Sequence, residues 1–144
     1  MHAFMGQALA FHVLIEAQKP IEQPRVGIKL LDRFANLLFA CGTRMLGHEL
    51  PALEAGGRLV VRLEVTMDLA PGQYTLSVGA STPKEDDPES GVVHDEVPDL
   101  GPLHVMLDKS KPRPFFGAAR LNVAASHAAC RASVVPTPVP HTIP

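Results

Sequence analysis

The stretch RLVVRLEVTMDLAPGQYTLSVG, residues 58–79, decides the fold class. Leu59, Val61, Leu63, Val65 and Met67 take every second position, and Arg58, Arg62, Glu64, Thr66 and Asp68 fill most of the gaps. Period-two alternation marks a β-strand with one face buried and the other wet. It resumes after Leu-Ala-Pro-Gly, with Tyr74, Leu76 and Val78 apolar and Gln73, Thr75 and Ser77 polar. Pro71-Gly72 suits the centre of a type II turn, since proline presets φ and glycine accepts the positive φ that follows. The pattern predicts a β-hairpin centred on residues 69–72, with facing residue numbers summing to about 141. Val65 then faces Leu76 and Thr66 faces Thr75. A slip of one residue would turn one strand inside out.

Outward from this stretch, more strands are expected. Leu9, Phe11, Val13 and Ile15 alternate with Ala10, His12 and Leu14, which places a strand at 8–16. AQKPIEQP, with two prolines, is a loop. VGIKLLD (26–32) puts Val26, Ile28 and Leu30 on one face, Phe34-Ala35-Asn36 turns, and LLFACGT returns. In LGHELPALEAGG, Pro51 and Gly56-Gly57 favour a structured loop over a helix. KEDDPESG is acidic and rich in breakers, so it forms an exposed loop. GVVHD and GPLHVMLD read as two short strands around the loop EVPDL, and FFGAARLNVAA as a last strand with Leu121 and Val123 inward. About eight short strands separated by turn signals describe an all-β fold, an antiparallel β-sandwich of immunoglobulin-like or jelly-roll type. The sandwich is expected over residues 1–125, and 126–144 form a flexible proline-rich tail.

Composition narrows the function. A chain of 144 residues with 46% hydrophobic content can bury the core of one domain, and no apolar run approaches a membrane span. MHAFMGQALAFHVLIEA lacks a basic leader and is closed by Glu16 and Lys19, so it reads as a strand rather than a signal peptide. The net charge of −2, without a basic stripe, argues against nucleic acid as a partner. Cys41 and Cys130 show no CxxC spacing and read as two thiols, in keeping with a cytoplasmic chain.

The search for chemistry is mostly negative. There is no phosphate-binding GxxxxGK[ST] loop, GxSxG elbow or HExxH helix. His94, Asp95 and His104 could converge on a metal if their strands pair, but no HxH or HxxxE spacing supports them, and no metal or cofactor is expected. Glu85, Asp86 and Asp87 sit together in a breaker-rich loop, the setting of a solvated tip rather than a glycosidase acid/base pair. A non-enzyme is expected. What remains is the wet face of the hairpin, where Arg62, Glu64, Thr66, Gln73, Thr75 and Ser77 would form one hydrogen-bonding surface. The plain reading is the wet face of a half-exposed sheet. With no Trp and one Tyr, the chain also lacks the aromatic platforms common at sugar sites.

VGIKLLDRFANLLFACGT, then ELPALEAGGRLVVRLEVTMDLAPGQYTLSVG, then HDEVPDLGPLHV, in that order, resemble the C-terminal domain of polysaccharide-exporting ABC-transporter ATPases of the Wzt type. In that family a GI-x-I-x-D strand turns through a glycine into a strand ending in Gly-Thr. An amphipathic strand, L-x-PG-x-Y-x-L-x-x-G and a late F-x-V strand follow. The likeness covers roughly residues 6–124. It implies a β-sandwich that binds the O-antigen glycan on the cytoplasmic side, at the inner face of the membrane, alongside transporter ATPase or permease components. Arg62, Glu64, Thr66, Gln73, Thr75 and Ser77 are the candidate carbohydrate contacts. Ala35 stands where the family usually has the turning glycine, and a strand that normally precedes MGQALAFHVLIEA has almost no sequence here to form it. An edge opened by that absence would recruit a second copy, so a homodimer is expected, with a terminal segment exchanged between copies as one form of it. These 144 residues hold no nucleotide-binding domain, so the resemblance carries no ATPase activity to them, and they read as either an excised module or a separately encoded, truncated one. The alternative is a sandwich that docks a protein partner without binding sugar.

Overall fold

Residues 58–66 form a strand, but its neighbour is not residues 72–79. The computed structural model describes residues 1–87 and 90–129. Among them are seven strands: β1 (His2–Phe4), β2 (Ala8–Glu16), β3 (Arg25–Asp32), β4 (Leu37–Gly42), β5 (Arg58–Thr66), β6 (Gly72–Pro83) and β7 (Gly91–Met106). β5 pairs antiparallel with β2, with Val61 opposite Val13 and Arg62 opposite His12. β6 lies in the other sheet, of order β1-β7-β6-β3-β4. The predicted hairpin, with Val65 facing Leu76, is therefore replaced by a crossing between sheets.

The reason lies in residues 67–71. Met67 is buried, its N–H donates to the Gln7 carbonyl, and its own carbonyl accepts from the Gly6 N–H. Tyr74, also buried, donates its hydroxyl to the Ala70 carbonyl at 2.6 Å. A tyrosine at the start of a strand, bonded back to the backbone of the preceding corner, is a hallmark of immunoglobulin-like sandwiches. Alternation had correctly assigned the buried side of both strands. In a sandwich, though, two such strands can face the same core from opposite sheets, and the pattern cannot distinguish that from pairing.

The core sits between the sheets. Val26, Ile28, Leu30, Tyr74, Leu76, Leu103 and Val105 from the large sheet meet Ile15, Val61 and Leu63 from the small one. The fold is an all-β sandwich, antiparallel except for β1, which runs parallel to β7 with His2 beside His104. This short strand ahead of β2 was not anticipated. The β3–β4 turn forms as expected. Ala35 takes a left-handed φ of 63° there, and Asp32 Oδ1 accepts the N–H groups of Phe34 and Asn36.

Two further expectations are corrected. GVVHD, EVPDL and GPLHVM form one strand, β7, whose register against β6 shifts at several points. Asp99 (φ 55°), in the expected loop, and Gly101 (φ 136°), just after it, lie at two of these shifts inside the strand. Residues 115–125 form no strand: Leu121 is 78% exposed and Val123 89%. Alternation there is real, but a strand also needs a partner, and among the described residues this segment pairs with none. Residues 126–129 are irregular, and the rest of the expected tail, with Cys130, lies outside the described residues.

Candidate functional site

Along β3, the residues between the core positions Val26, Ile28 and Leu30 face outward, which sets Arg25, Gly27 and Lys29 on the outer face of the large sheet. The same parity puts Thr75, Ser77, Gly79 and Ser81 of β6 there. Cross-strand register then aligns Gly42, Gly27, Gly79 and Glu96 in one row over four strands. Ala40, Lys29 and Ser77 form the row beside it. Three adjacent glycines leave a stretch of sheet with bare peptide planes, forming a trough of about 240 Å³. A Cβ on Gly42 would approach the Val26 carbonyl oxygen to 2.8 Å, so that glycine is required by close backbone approach. A Cβ on Gly79 would meet the Asp95 carbonyl oxygen at an ordinary 3.4 Å and would simply fill the trough.

Polar groups gather on its flank. Lys29 Nζ lies 2.9 Å from Glu96 Oε1, and Ser77 Oγ donates to the same oxygen at 3.1 Å. Ser77 is only 4% exposed, whereas the Lys29 and Glu96 side chains keep 50% and 38% of their surface open to an incoming ligand. The hydrogen bond from Lys29, then that from Ser77, and the Lys29 charge hold the Glu96 carboxyl below its ordinary range. An ionised carboxylate beside an ammonium and a hydroxyl can bind neighbouring hydroxyl groups as donor and acceptor together.

The six sequence-predicted contacts do not share one surface. Gln73 is exposed and Thr75 half-buried on β6, on the same outer face as Ser77. Arg62, Glu64 and Thr66 lie on the outer face of the small sheet, opposite His12, Ala10 and Ala8, with Arg62 paired to Glu64. The crossing at residues 67–71 places the two trios on opposite sides of the sandwich. Nor do His94 and His104 converge, because one continuous strand holds them roughly 30 Å apart at about 3.3 Å per residue. His94 bonds Thr82, and His104 stacks on His2. Among the described residues no three metal-ligating side chains come together. Asp87 accepts from Ser90 within the exposed loop. Lys29, Gly27, Gly79 and Glu96 were missed because only the β3–β6–β7 register unites them. The available signal was glycine at outward positions of otherwise regular strands.

A second hollow of about 1200 Å³ opens between β2 and the far halves of β6 and β7. Val13, Ile15, Val78, Val97 and Leu100 line it, so it is the part of the core that the two-stranded sheet leaves uncovered.

Residues 3–121 match the family model of the Wzt C-terminal domain. The chain belongs to the Wzt C-terminal domain family. A crystal structure of the C-terminal domain of Wzt shares the fold, with a TM-score of 0.72 and 19% identity over 87% of this chain and 72% of that one. No curated protein is significantly similar in sequence. The Wzt C-terminal domain family is associated with O-antigen ABC transporters, and the domain is a non-catalytic part of a transporter subunit.

Proposed function

We propose that this chain is a carbohydrate-binding module that recognises an O-antigen-type polysaccharide for ABC-transporter export, working on the cytoplasmic side of the membrane. Family membership supplies the transporter context. The observation that carries the sugar reading is the glycine-floored trough with Lys29, Glu96 and Ser77 on its flank. A pyranose can lie flat on bare peptide planes while Lys29 and Glu96 clamp adjacent hydroxyls, with the buried Ser77 hydroxyl holding Glu96 in place. Without aromatic stacking, one repeat unit should bind weakly, with Kd on the order of 0.1 to 1 mM or about 4 to 5.5 kcal/mol. Glu96 is held ionised, which suits binding and disqualifies it as the general acid of a glycosidase.

The partners in this reading are the glycan, the transporter ATPase or permease, and a second copy of the chain. The test is titration of repeat-unit oligosaccharides from the host's surface polysaccharide. Lys29→Ala should weaken binding at least about fivefold, in line with a charge-assisted hydrogen bond, and Arg62→Ala should leave it unchanged. Wild-type protein that binds none of these sugars overturns the reading. The second reading, a sandwich that docks protein alone, is favoured by the uncovered hollow beside β2. Binding of the transporter ATPase with no affinity for glycan would select it.

A further inference from the structure

We infer that the outer face of the large sheet carries a second sugar subsite at its β1–β7 edge, built from Phe4, His2, His104 and Gln73. The module would then read a stretch of polysaccharide rather than one unit at a time. The inference rests on the glycan reading for its ligand, and on strand register for its geometry.

Register fixes which side chains share this face. Ala3 is paired with Val105 and Tyr74 with Leu103, and all four are buried. Their neighbours along the strands therefore point outward: His2 and Phe4 on β1, His104 and Met106 on β7, and Gln73 on β6. His104 stands between His2 on one side and Gln73 on the other, and Phe4 lies opposite Met106. On β6 the outward series Ser77, Thr75, Gln73 leads from the flank of the trough to this edge. Four residues along β6, with one or two inter-strand spacings across, put the imidazoles about 14 to 16 Å from Ser77.

This edge supplies what the trough lacks. Phe4 and Met106 are 45% and 40% exposed in register, an apolar contact for the C–H face of a sugar ring. The His2 and His104 rings stack with centroids 5.2 Å apart and planes 24° apart, the spacing of an offset aromatic pair. Stacking uses the ring faces and leaves the nitrogens at their edges to hydrogen-bond. A neutral imidazole has one donor and one acceptor nitrogen, so the pair, together with the exposed Gln73 amide, can serve hydroxyls in either sense.

Apolar side chains exposed singly are ordinary, but here two stand in register beside two stacked rings. Their exposed surface, roughly 150 Å², is far short of the roughly 800 Å² that a protein partner covers, and suits a single sugar ring. Two weak subsites fixed on one sheet favour a repeating polymer, because the second contact forms from a high effective concentration.

Nuclear magnetic resonance titration of the full chain tests the subsite, using oligosaccharides of one repeat unit and of several from the host's surface polysaccharide. One repeat unit should move the amides of the trough most. A fragment of several units should bind roughly tenfold more tightly and add shifts at His2, Phe4, Gln73 and His104. Phe4→Ala should lower the affinity for the long fragment toward that for one unit, with single-unit affinity and the shifts at Lys29 and Glu96 as in wild type. His2→Ala serves if Phe4→Ala fails to fold. Long fragments that move only the trough amides, no gain in affinity with length, or a long-fragment affinity indifferent to these substitutions each overturn the inference and leave the glycan reading standing. Shifts at the β1–β7 edge with none at Lys29, Ser77 or Glu96 keep this subsite and overturn the trough instead. A wild type that binds no fragment of any length overturns both.

Discussion

Tyr74→Phe removes one hydroxyl and keeps the ring, and so isolates the corner that carries the chain between sheets. The lost bond, from the Tyr74 hydroxyl to the Ala70 carbonyl, spans 2.6 Å at a part-buried site. A neutral hydrogen bond contributes about 0.5 to 1.5 kcal/mol net, and a carbonyl left dry costs about 1 to 3 kcal/mol. With partial access of water to Ala70, the expected loss is about 1 to 2 kcal/mol. For a chain of this size that lowers Tm by roughly 3 to 10 °C. Burial, then the Asp32 charge, raises the phenol above its ordinary 10.0. A group with a raised folded pKa contributes stability that is complete below its unfolded value and is lost as pH rises through the folded one. Wild type should therefore lose its advantage over the variant only above pH 10. The assay is thermal and urea unfolding of both proteins at pH 7 and again in alkaline buffer. A difference below about 0.3 kcal/mol at pH 7 would refute the corner as the device that sets β6, and with it the outward aim of Thr75 and Ser77.

Other outcomes are as open to measurement. Glu96 has a depressed carboxyl, so its contacts with Lys29 and Ser77 are complete above the ordinary value of 4.5 and fade only as pH falls through the lower folded value. Sugar affinity should hold from pH 7 to 4.5 and then drop, and Glu96→Gln should flatten that profile. Ala35→Gly relieves a left-handed alanine, and should stabilise by about 0.5 to 1 kcal/mol after the added chain entropy, read as a rise in Tm. Gly79→Ala should fold normally and weaken sugar binding, because its methyl group sits in the trough without a backbone clash. Arg120→Ala breaks a half-exposed ion pair with Asp68 and should change stability by less than about 0.5 kcal/mol by urea titration.

Local physics was legible and long-range pairing was not. Alternation identified β2, β3 and β5 and their buried sides, since Val26, Ile28, Leu30, Val61 and Leu63 report burial whichever strand lies alongside. The β3–β4 turn was legible from Phe34-Ala35-Asn36, because Asp32 and Asn36 supply its side-chain bonds locally. The stretch LAPGQY carries a turn signal and a corner signal at once, and the choice is made by the Tyr74–Ala70 bond together with the bonds of Met67 to Gly6 and Gln7. EVPDL looked like a loop because proline and aspartate are common in turns, yet a long strand holds Asp99 at a left-handed φ as an irregularity. The site divided for the same reason as the hairpin. Thr75 and Ser77 were recognised as polar and outward, but their companions Lys29 and Glu96 arrive from strands 46 and 21 residues from Thr75 by number (75 − 29 and 96 − 75).

The central claim is that sugar binds on the outer face of the large sheet. Chemical-shift perturbation with repeat-unit oligosaccharides of the host's own surface polysaccharide tests it most directly. The account predicts the largest shifts at Gly27, Lys29, Thr75, Ser77, Gly79 and Glu96, with Arg62, Glu64 and Thr66 unmoved. Shifts confined to the Arg62 face, or none with any such oligosaccharide, would contradict it.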